Sequence, residues 1–553
     1  MKMKVFFACL LMVQLTSAQF LTPVRTYTKA DTLRGMLNSL RSCYDVTFYD
    51  LTIKVDIENK HISGSNKMYF TATEDFDRIQ IDLFENLQID RILFKDKTVV
   101  YNRQFNAVFI NLDEKIMKGD KAMIEVVYSG NPQIAKNPPW EGGFTFTKDA
   151  QGRDWVAVSC QGLGASVWWP NKDHLSDEPD SMMIRTLCRE DLLCVSNGNL
   201  RKKHSAQNGY RQFDWFVSYP INNYNVSINI GNYVRFADSY TSIVDGEKLD
   251  LEYYVLDYNL EKAKKHFEQV KPMMGCFEKY LGKYPFYKDG FALIETPYLG
   301  MEHQSGIAYG NKYLTGYAGY DYSQIGMTWD YIIIHESGHE WWGNNVSVKD
   351  IADLWIHEGI CTYSEALYVE CLFGYEKAIA YTNARKSQVG NAKPVIGDYD
   401  VNNEGDDIYD KGFLLMHTLR HVINNDSVWF AIIKGIQTDF ALQTITTQQL
   451  ENYISTRSGK DLSKIFDQYL RYPTPPVLEY WLEKKGRKLE VWYRWQTDVK
   501  DFNMPIKMKD KTGEWQWITP TNEWQMLRLK KNKPGDVQFD DIHFYYLSAL
   551  TGD

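Results

Sequence analysis

Two histidines and a glutamate within one apolar segment carry the clearest chemical signal in this chain. The pattern H-E-x-x-H runs from His335 to His339, and at helical spacing both imidazoles project from one face, where they can bind the same metal ion. Glu336 lies beside them, placed to handle the proton of a water molecule rather than to bind the metal. A solvated helix that carries the pattern by chance is the alternative, but the flanking isoleucines and tryptophans predict burial. The segment therefore predicts the zinc site of a hydrolase.

A catalytic zinc ion takes three protein ligands and keeps one position open, so a third ligand is expected. Glu358 follows His339 by nineteen residues, near the start of a second predicted helix that runs to about Gly374. His357 competes for this role, but one helical residue is a rotation of about 100°, so its side chain is expected to point elsewhere. Glu365 lies two turns after Glu358 on the same face. It is either a hydrogen-bond acceptor for a ligand imidazole or a plain surface carboxylate.

The first eighteen residues have the pattern of a secretory signal peptide. Lys2 and Lys4 form a charged start, residues 5–15 an apolar core, and residues 16–18 a small-residue cleavage site. The core is too short to span a bilayer, and no later segment approaches the ~20 apolar residues that a membrane helix needs. We therefore expect an exported protein, periplasmic or extracellular, without a membrane span.

The length of 553 residues predicts several domains, since a single core stops growing at about 250–300 residues. The formal net charge of -9 gives no electrostatic basis for nucleic-acid binding.

Of the eight cysteines, Cys9 lies within the predicted signal, and the remaining odd, scattered set does not form a disulfide framework. Buried free thiols are expected, with a Cys188–Cys194 bridge across a turn as the alternative. Asn225 and Asn345 begin N-x-S sequences, a glycosylation pattern short enough to occur by chance.

Strand-like alternation fills the chain from about residue 44 to residue 254 and returns after a proline-rich break at residues 472–476. Between these two regions, helical periodicity runs from about residue 258 to residue 470. The clearest predicted strands are residues 47–57, 122–128, 224–230, 489–495 and 515–519. The predicted domains are a signal peptide at 1–18, an N-terminal β-domain at 19–257, a zinc catalytic domain at 258–472 and a C-terminal β-sandwich at 473–553.

Four segments together resemble the motifs of the M1 family of zinc metallopeptidases, the gluzincin aminopeptidases. Residues 335–344, HESGHEWWGN, are similar to the family's H-E-x-x-H-x-W-x-G-N, and residues 354–359, LWIHEG, are similar to its L-W-L-N-E-G. Upstream, LGMEH at residues 299–303 resembles the G-x-M-E-N segment that lines the substrate cleft. Downstream, YDKG at residues 409–412 resembles the Y-x-K-G segment. The four segments follow the order found in the family.

The resemblance implies a multidomain α+β fold with an N-terminal β saddle, a thermolysin-like α/β catalytic domain and a C-terminal β-sandwich. It also implies an aminopeptidase that holds one Zn²⁺ per chain and removes the first residue of peptides with a free N-terminus, by means of metal-activated water. The roles it assigns are metal binding to His335, His339 and Glu358, proton transfer to Glu336, oxyanion stabilisation to Tyr409, capture of the substrate's α-ammonium group to Glu302, and contacts with substrate to Gly300, Met301 and Gln161.

Three positions depart from the family's pattern. Leu299 and His303 stand where the family usually has glycine and asparagine, which affects the expected side-chain preference and the pose of the substrate. His357 replaces the usual asparagine before the third ligand. Two alternatives stay open at this point: a thermolysin-like endopeptidase with the same metal ligands, and a non-catalytic peptide-binding protein on a peptidase fold. No pattern in the sequence specifies an oligomeric state.

Overall fold

The computed structural model describes residues 26–323 and 325–551. The predicted signal peptide, residues 1–18, lies outside the described residues, so it stays a prediction. Two short helices, Lys29–Gly35 and Ser39–Ser42, precede the first strand. Among the described residues, no helix combines the length and the apolar character required to span a membrane.

Three sheets of mostly antiparallel strands form the N-terminal part of the chain. The eight-stranded sheet has the spatial order Asn199–Ser205, Tyr210–Val217, Ser181–Arg189, Tyr44–Asp56, His61–Ala72, Lys121–Gly130, Leu87–Phe94 and Lys97–Thr98. The four-stranded sheet has the order Leu193–Val195, Asn229–Gly231, Asp154–Ser159 and Gly143–Lys148, and the three-stranded sheet has the order Phe76–Asp82, Ala107–Ile116 and Tyr101–Gln104. Alternation accounts for these strands, since Leu51, Ile53 and Val55 are buried while the residues between them are partly exposed.

A five-stranded mixed sheet lies beside the helix that contains His335. Its order is Tyr233–Thr241, Lys248–Leu256, Phe291–Glu295, Ile307–Tyr309 and Gly300–Met301. The predicted boundary between residues 257 and 258 cuts across this sheet, because Lys248–Leu256 pairs in parallel with Phe291–Glu295. The hydrogen bonds therefore group the last two N-terminal strands with the helical region. Alternation alone could not show this, since strands of either domain have the same period.

Helices pack around this sheet in the region predicted to be helical. Their bounds are Leu260–His266, Val270–Tyr280, Tyr331–Gly338, Trp355–Phe373, Tyr375–Arg385, Asp410–Ile423, Asp426–Asp439, Thr447–Ser458 and Ser463–Arg471. Two short strands, Val346–Val348 and Gln443–Ile445, pair in parallel beside them. Single turns of 3₁₀-helix occur at Ala165–Val167, Asn223–Asn225, Asp257–Asn259, Phe267–Gln269, Ile351–Asp353, Lys386–Gln388 and Pro534–Asp536.

Two sheets follow the proline-rich break. The four-stranded sheet has the order Gln525–Lys530, Lys488–Gln496, Val477–Lys485 and Leu547–Leu550, and the three-stranded sheet has the order Trp515–Ile518, Ile506–Lys509 and Gln538–Phe539. Alternate residues of both sheets, among them Leu489, Val491 and Met508, are buried between them. The predicted multidomain α+β class is thereby confirmed.

Two sequence-based expectations need correction. Residues 224–230 form a strand only from Asn229 onward, because a 3₁₀ turn at Asn223–Asn225 occupies the start of the segment. Cys276 and Cys371 form a disulfide across 95 residues of chain, so the expectation of free thiols is wrong for this pair; no local spacing signals a contact so distant in sequence. The expectation of buried free thiols is confirmed for Cys188 and Cys194.

The two asparagines of the glycosylation pattern are not available on the surface. Asn225 is fully buried and donates to Asn344 Oδ1 at 2.7 Å, and Asn345 is 4% exposed and donates to Gln437. The glycosylation pattern at both positions is therefore a chance match.

Candidate active site

The three predicted metal ligands converge in the structure. His335 Nε2 lies 3.3 Å from His339 Nε2, and Glu358 Oε2 lies 3.6 Å from the first and 3.3 Å from the second. Ligand atoms bound tetrahedrally at 2.0–2.2 Å from zinc are about 3.3–3.6 Å apart. The spacing of the three atoms therefore fits a single zinc ion.

Hydrogen bonds on the far side of each imidazole fix which nitrogen faces the metal position. His335 Nδ1 is 2.7 Å from Glu365 Oε1, and His339 Nδ1 is 2.9 Å from the carbonyl oxygen of Trp342. Both partners only accept hydrogen bonds, so each Nδ1 carries the proton and each Nε2 keeps a free lone pair. Glu365 is thus placed as a hydrogen-bond partner of a ligand rather than as a surface carboxylate.

The carboxylate of Glu358 provides the test of whether the residues fit a metal ion. Its Oε2 atom is buried without a hydrogen-bond partner among the described residues, a costly arrangement unless a cation binds there. The thiol of Cys361 also lies near both histidines, but it donates to the carbonyl oxygen of His335 at 3.0 Å and faces the Nδ1 side of that ring. The donor set facing the metal position is therefore two imidazoles and one carboxylate.

The helix Tyr331–Gly338 owes its position to a buried cap. Asp330 is fully buried and accepts from the backbone N–H groups of Ile332 and Ile333. The same carboxylate also accepts from Tyr309 and Asn311 in the five-stranded sheet region, at 2.7 Å each. The helix begins where the sheet holds Asp330, so the histidines one turn later are fixed against the sheet.

The second helix, Trp355–Phe373, ends at Gly374 as the sequence predicts. Its first turns are fully buried, and they bring Glu358 against the histidines. His357 points away from the metal position, and its Nε2 accepts from the backbone of Val348 at 3.1 Å. Of these two residues, Glu358 is the one whose side chain lies at the histidine pair.

Glu336 is 8% exposed and lies against the strand that contains Gly300. A Cβ atom at Gly300 would come within 2.7 Å of Glu336 Oε1 and 2.6 Å of Ile332 Cγ2. Any residue larger than glycine at this position would therefore displace the Glu336 carboxylate. Burial raises the pKa of Glu336 to about 8, with nearby Glu302 and Glu358 acting in the same direction. A neighbouring dication lowers such a pKa again, towards the range in which a carboxylate exchanges protons with water.

Glu302 lies beside the metal position and is held by the N-terminal domain. Gln161 Nε2 donates to Glu302 Oε1 at 2.6 Å and to Glu358 Oε1 at 3.0 Å, so one amide links this carboxylate to a metal ligand. Tyr224 donates to the same Glu302 oxygen at 2.9 Å. Burial raises the pKa of Glu302. Alternation predicts a strand at Tyr224, and no local pattern in the sequence marks this residue as part of the site.

Tyr409 caps the N-terminal end of the helix Asp410–Ile423 and is 40% exposed. Its ring stacks against that of His335, with centroids 6.1 Å apart and planes 29° from parallel. Among the described residues, its hydroxyl has no hydrogen-bond partner. The phenol is therefore available to a ligand in the cavity.

A cavity of about 490 Å³ joins these groups. Besides the metal ligands, its wall contains Gln161, Gly300, Met301, Glu302, Glu336 and Tyr409, together with Pro139, Trp140, Gly162, Leu299, Tyr317, Tyr331, Ile332, Leu354, Arg385, Glu404, Ile408 and Asp410. Every predicted site residue except the hydrogen-bond partner Glu365 thus lines one cavity. Of the two departures in LGMEH, Leu299 lines the cavity, whereas His303 is fully buried outside it.

Comparison with known proteins agrees with this geometry. Residues 258–469 match the family model of the peptidase family M1 domain. This region of the chain is therefore similar to the M1 peptidase domain. Aminopeptidase N of Lactobacillus helveticus is 24% identical over 79% of this chain and 52% of its own length. The human endoplasmic reticulum aminopeptidase 1 is 22% identical over 70% of this chain and 43% of its own. The chain spans about half the length, or less, of the curated relatives it matches.

Solved structures show the same M1 fold. An M1 zinc metallopeptidase from Deinococcus radiodurans superposes with a TM-score of 0.64 at 17% identity, over 80% of this chain and 96% of that one. A two-domain M1 zinc metallopeptidase variant bound to L-tryptophan gives a TM-score of 0.66 at 18% identity, over 80% and 96%. At these identities the likeness concerns the fold alone.

Proposed function

We propose that this protein is a zinc-dependent aminopeptidase of the M1 family that removes the first residue from peptides with a free N-terminus. The main support is that the amide of Gln161 donates both to Glu302 and to Glu358, one of the three proposed metal ligands. Two oxygens that accept from one nitrogen are closer together than the ~7 Å that two extended residues span. An α-ammonium group bound at Glu302 therefore leaves only the first peptide bond at the metal position. A thermolysin-like endopeptidase has no use for such a carboxylate.

The residues have distinct parts in the proposed reaction. One Zn²⁺ per chain, held by His335, His339 and Glu358, supplies the Lewis acidity that activates water and polarises a carbonyl group. Glu336 accepts the proton of the attacking water and passes it to the leaving amine. Tyr409 donates to the oxygen on which negative charge develops. Because each of these groups is present and lines one cavity, a non-catalytic binding protein is the less supported alternative.

The proposal also includes export. Its support is the charged, apolar and small-residue pattern of residues 1–18, which predicts a mature enzyme in the periplasm or outside the cell. N-terminal sequencing of the protein purified from its own culture tests this: a start near Gln19 agrees with export, and an intact Met1 contradicts it.

Removal of the metal is expected to abolish hydrolysis of aminoacyl-arylamides. Dialysis against a chelator should reduce the rate to background, since the ligands then lack the cation that activates water, and one equivalent of zinc per chain should restore it. Metal content is measured by atomic absorption alongside the rate. A metal-free sample that keeps its activity would contradict the zinc assignment, and a wild type without arylamidase activity on any of a panel of residues would contradict the aminopeptidase.

Replacement of Tyr409 by phenylalanine is expected to lower kcat by about 10²–10³-fold, the effect of losing one oxyanion donor. Thermal stability should stay unchanged, because the hydroxyl has no partner among the described residues. Tyr320→Phe, at a 67% exposed position outside the cavity, is the control and should keep the wild-type rate. Equal kcat values for the two variants would remove Tyr409 from the mechanism.

A further inference from the structure

Arg385 is a buried cation in the cavity wall that the proposed reaction does not use. It ends the helix Tyr375–Arg385, is 5% exposed, and is the only arginine or lysine among the described residues that line the cavity. The rings of Tyr322, Tyr381 and Phe413 surround its guanidinium group at 5.1–6.0 Å. A buried charge is stable only when it is paired with opposite charges and hydrogen-bonded, so the partners of Arg385 indicate what it positions.

One arm of Arg385 reaches the partner of a metal ligand. Its Nη1 donates to Glu365 Oε2 at 3.3 Å, and the other oxygen of that carboxylate accepts from His335 Nδ1 at 2.7 Å. Tyr381 donates to the same Oε2 atom. Glu365 therefore has both oxygens engaged, and Arg385 fixes the orientation in which it meets His335.

The other arm reaches the residue next to Tyr409. Nε of Arg385 donates to the carboxylate of Asp410, which is the first residue of the helix Asp410–Ile423. Since the Tyr409 hydroxyl has no hydrogen-bond partner among the described residues, the position of that phenol depends on its stacking on His335 and on the backbone turn that Asp410 anchors. The planar guanidinium presents its two arms at a fixed angle, which lysine cannot reproduce.

We propose that Arg385 is a positioning residue that couples the metal-binding imidazole of His335 to the oxyanion donor Tyr409. Through Glu365 it sets the ligand, and through Asp410 it sets the phenol, so that both keep one geometry around the substrate carbonyl. The coupling to turnover rests on the proposed aminopeptidase function. The coupling to the metal does not, because metal affinity is measured without substrate.

Asp410→Asn tests the arm to Tyr409 alone. The amide keeps the size of the carboxylate but weakens the pair with Arg385, and we expect kcat to fall about 10–100-fold, since small misplacements of catalytic groups have effects of this order. KM and the zinc dissociation constant should stay within a few-fold of wild type. In a Tyr409→Phe background the same change should have no further effect on kcat, because the group it positions is already lost.

Arg385→Gln tests both arms. We expect the zinc dissociation constant to rise about 10–100-fold, as for other changes behind a metal ligand, together with the fall in kcat. Arg385→Lys keeps the charge without the fork and should recover zinc affinity in part, through the single contact to Glu365, but not kcat.

Arg420 is a matched control within the same domain. It is 4% exposed and likewise bridges two carboxylates, Glu370 on the helix Trp355–Phe373 and Asp426, but it does not line the cavity. Arg420→Gln and Asp426→Asn should lower the melting temperature as the Arg385 and Asp410 variants do, while kcat and zinc affinity stay at wild-type values.

Three results would overturn the proposal: wild-type kcat in Asp410→Asn, additive losses in its combination with Tyr409→Phe, or zinc affinity in Arg385→Gln equal to that in Arg420→Gln. An inactive wild type would instead overturn the proposed function, and the comparison of zinc affinities would still decide the metal arm.

Discussion

Glu336→Gln is expected to keep its metal ion and to lose turnover by roughly 10²–10⁴-fold, the usual contribution of a general base. The carboxylate points at the cavity beside the three ligand atoms but supplies none of them. Glutamine has the same shape, so it satisfies the close approach to Gly300. Its amide cannot accept the proton of water. The measurement is kcat on an aminoacyl-arylamide together with bound zinc per chain.

Glu340→Gln is the control for that variant. Glu340 lies four residues further along the same segment and is also buried, but its oxygens accept from Tyr284 at 2.7 Å and from the backbone of Ser305 at 2.9 Å, outside the cavity. It should lose stability without a comparable loss of kcat. A zinc-loaded Glu336→Gln enzyme that turns over at the wild-type rate would show that the base is another group.

Glu302→Gln is expected to lower kcat/KM for peptides with a free amine by roughly ten- to hundred-fold. A hydrogen bond to a charged group is worth ~1.5–3 kcal/mol, which corresponds to that range. The amide still accepts from Tyr224 and Gln161 through its oxygen, so the wall of the cavity is preserved. What is lost is the charge that pairs with the substrate's ammonium group.

Glu404→Gln serves as the matched comparison, because this carboxylate also lines the cavity but has no hydrogen bond to a described residue. If the field of the cavity as a whole captures the amine, both variants should be affected alike; if Glu302 does, only its own variant should show the loss. Equal effects would contradict the assignment of Glu302.

The residues that share a short motif were predictable, and those that reach the site from elsewhere were not. His335, Glu336 and His339 are fixed by helical spacing, and Glu358 follows because zinc needs a third ligand. Tyr224 and Arg385 come from a 3₁₀ turn and a helix end that carry no motif. Their roles depend on contacts across 78 and 20 residues of chain, to Glu302 and Glu365, which spacing along the sequence does not encode.

In the fold, too, some features were predictable from local sequence patterns and others were not. The helix Trp355–Phe373 and its end at Gly374 were predictable from periodicity and from the glycine that follows. The pairing of Lys248–Leu256 with Phe291–Glu295 was not, because a parallel pair joins segments separated by two helices. The same holds for the Cys276–Cys371 disulfide. Local patterns specify elements, whereas the partners of those elements depend on the three-dimensional packing.

A pair of matched peptides tests the central claim most directly. One peptide has a free N-terminus and the other is its N-acetylated form, and mass spectrometry follows the products of each with the zinc-loaded enzyme. We expect the free peptide to lose its first residue and the acetylated one to stay intact, since acetylation removes the charge that pairs with Glu302 and adds bulk at the end of the cavity where that carboxylate lies. Efficient cleavage within the acetylated peptide would contradict the account and would establish an endopeptidase instead.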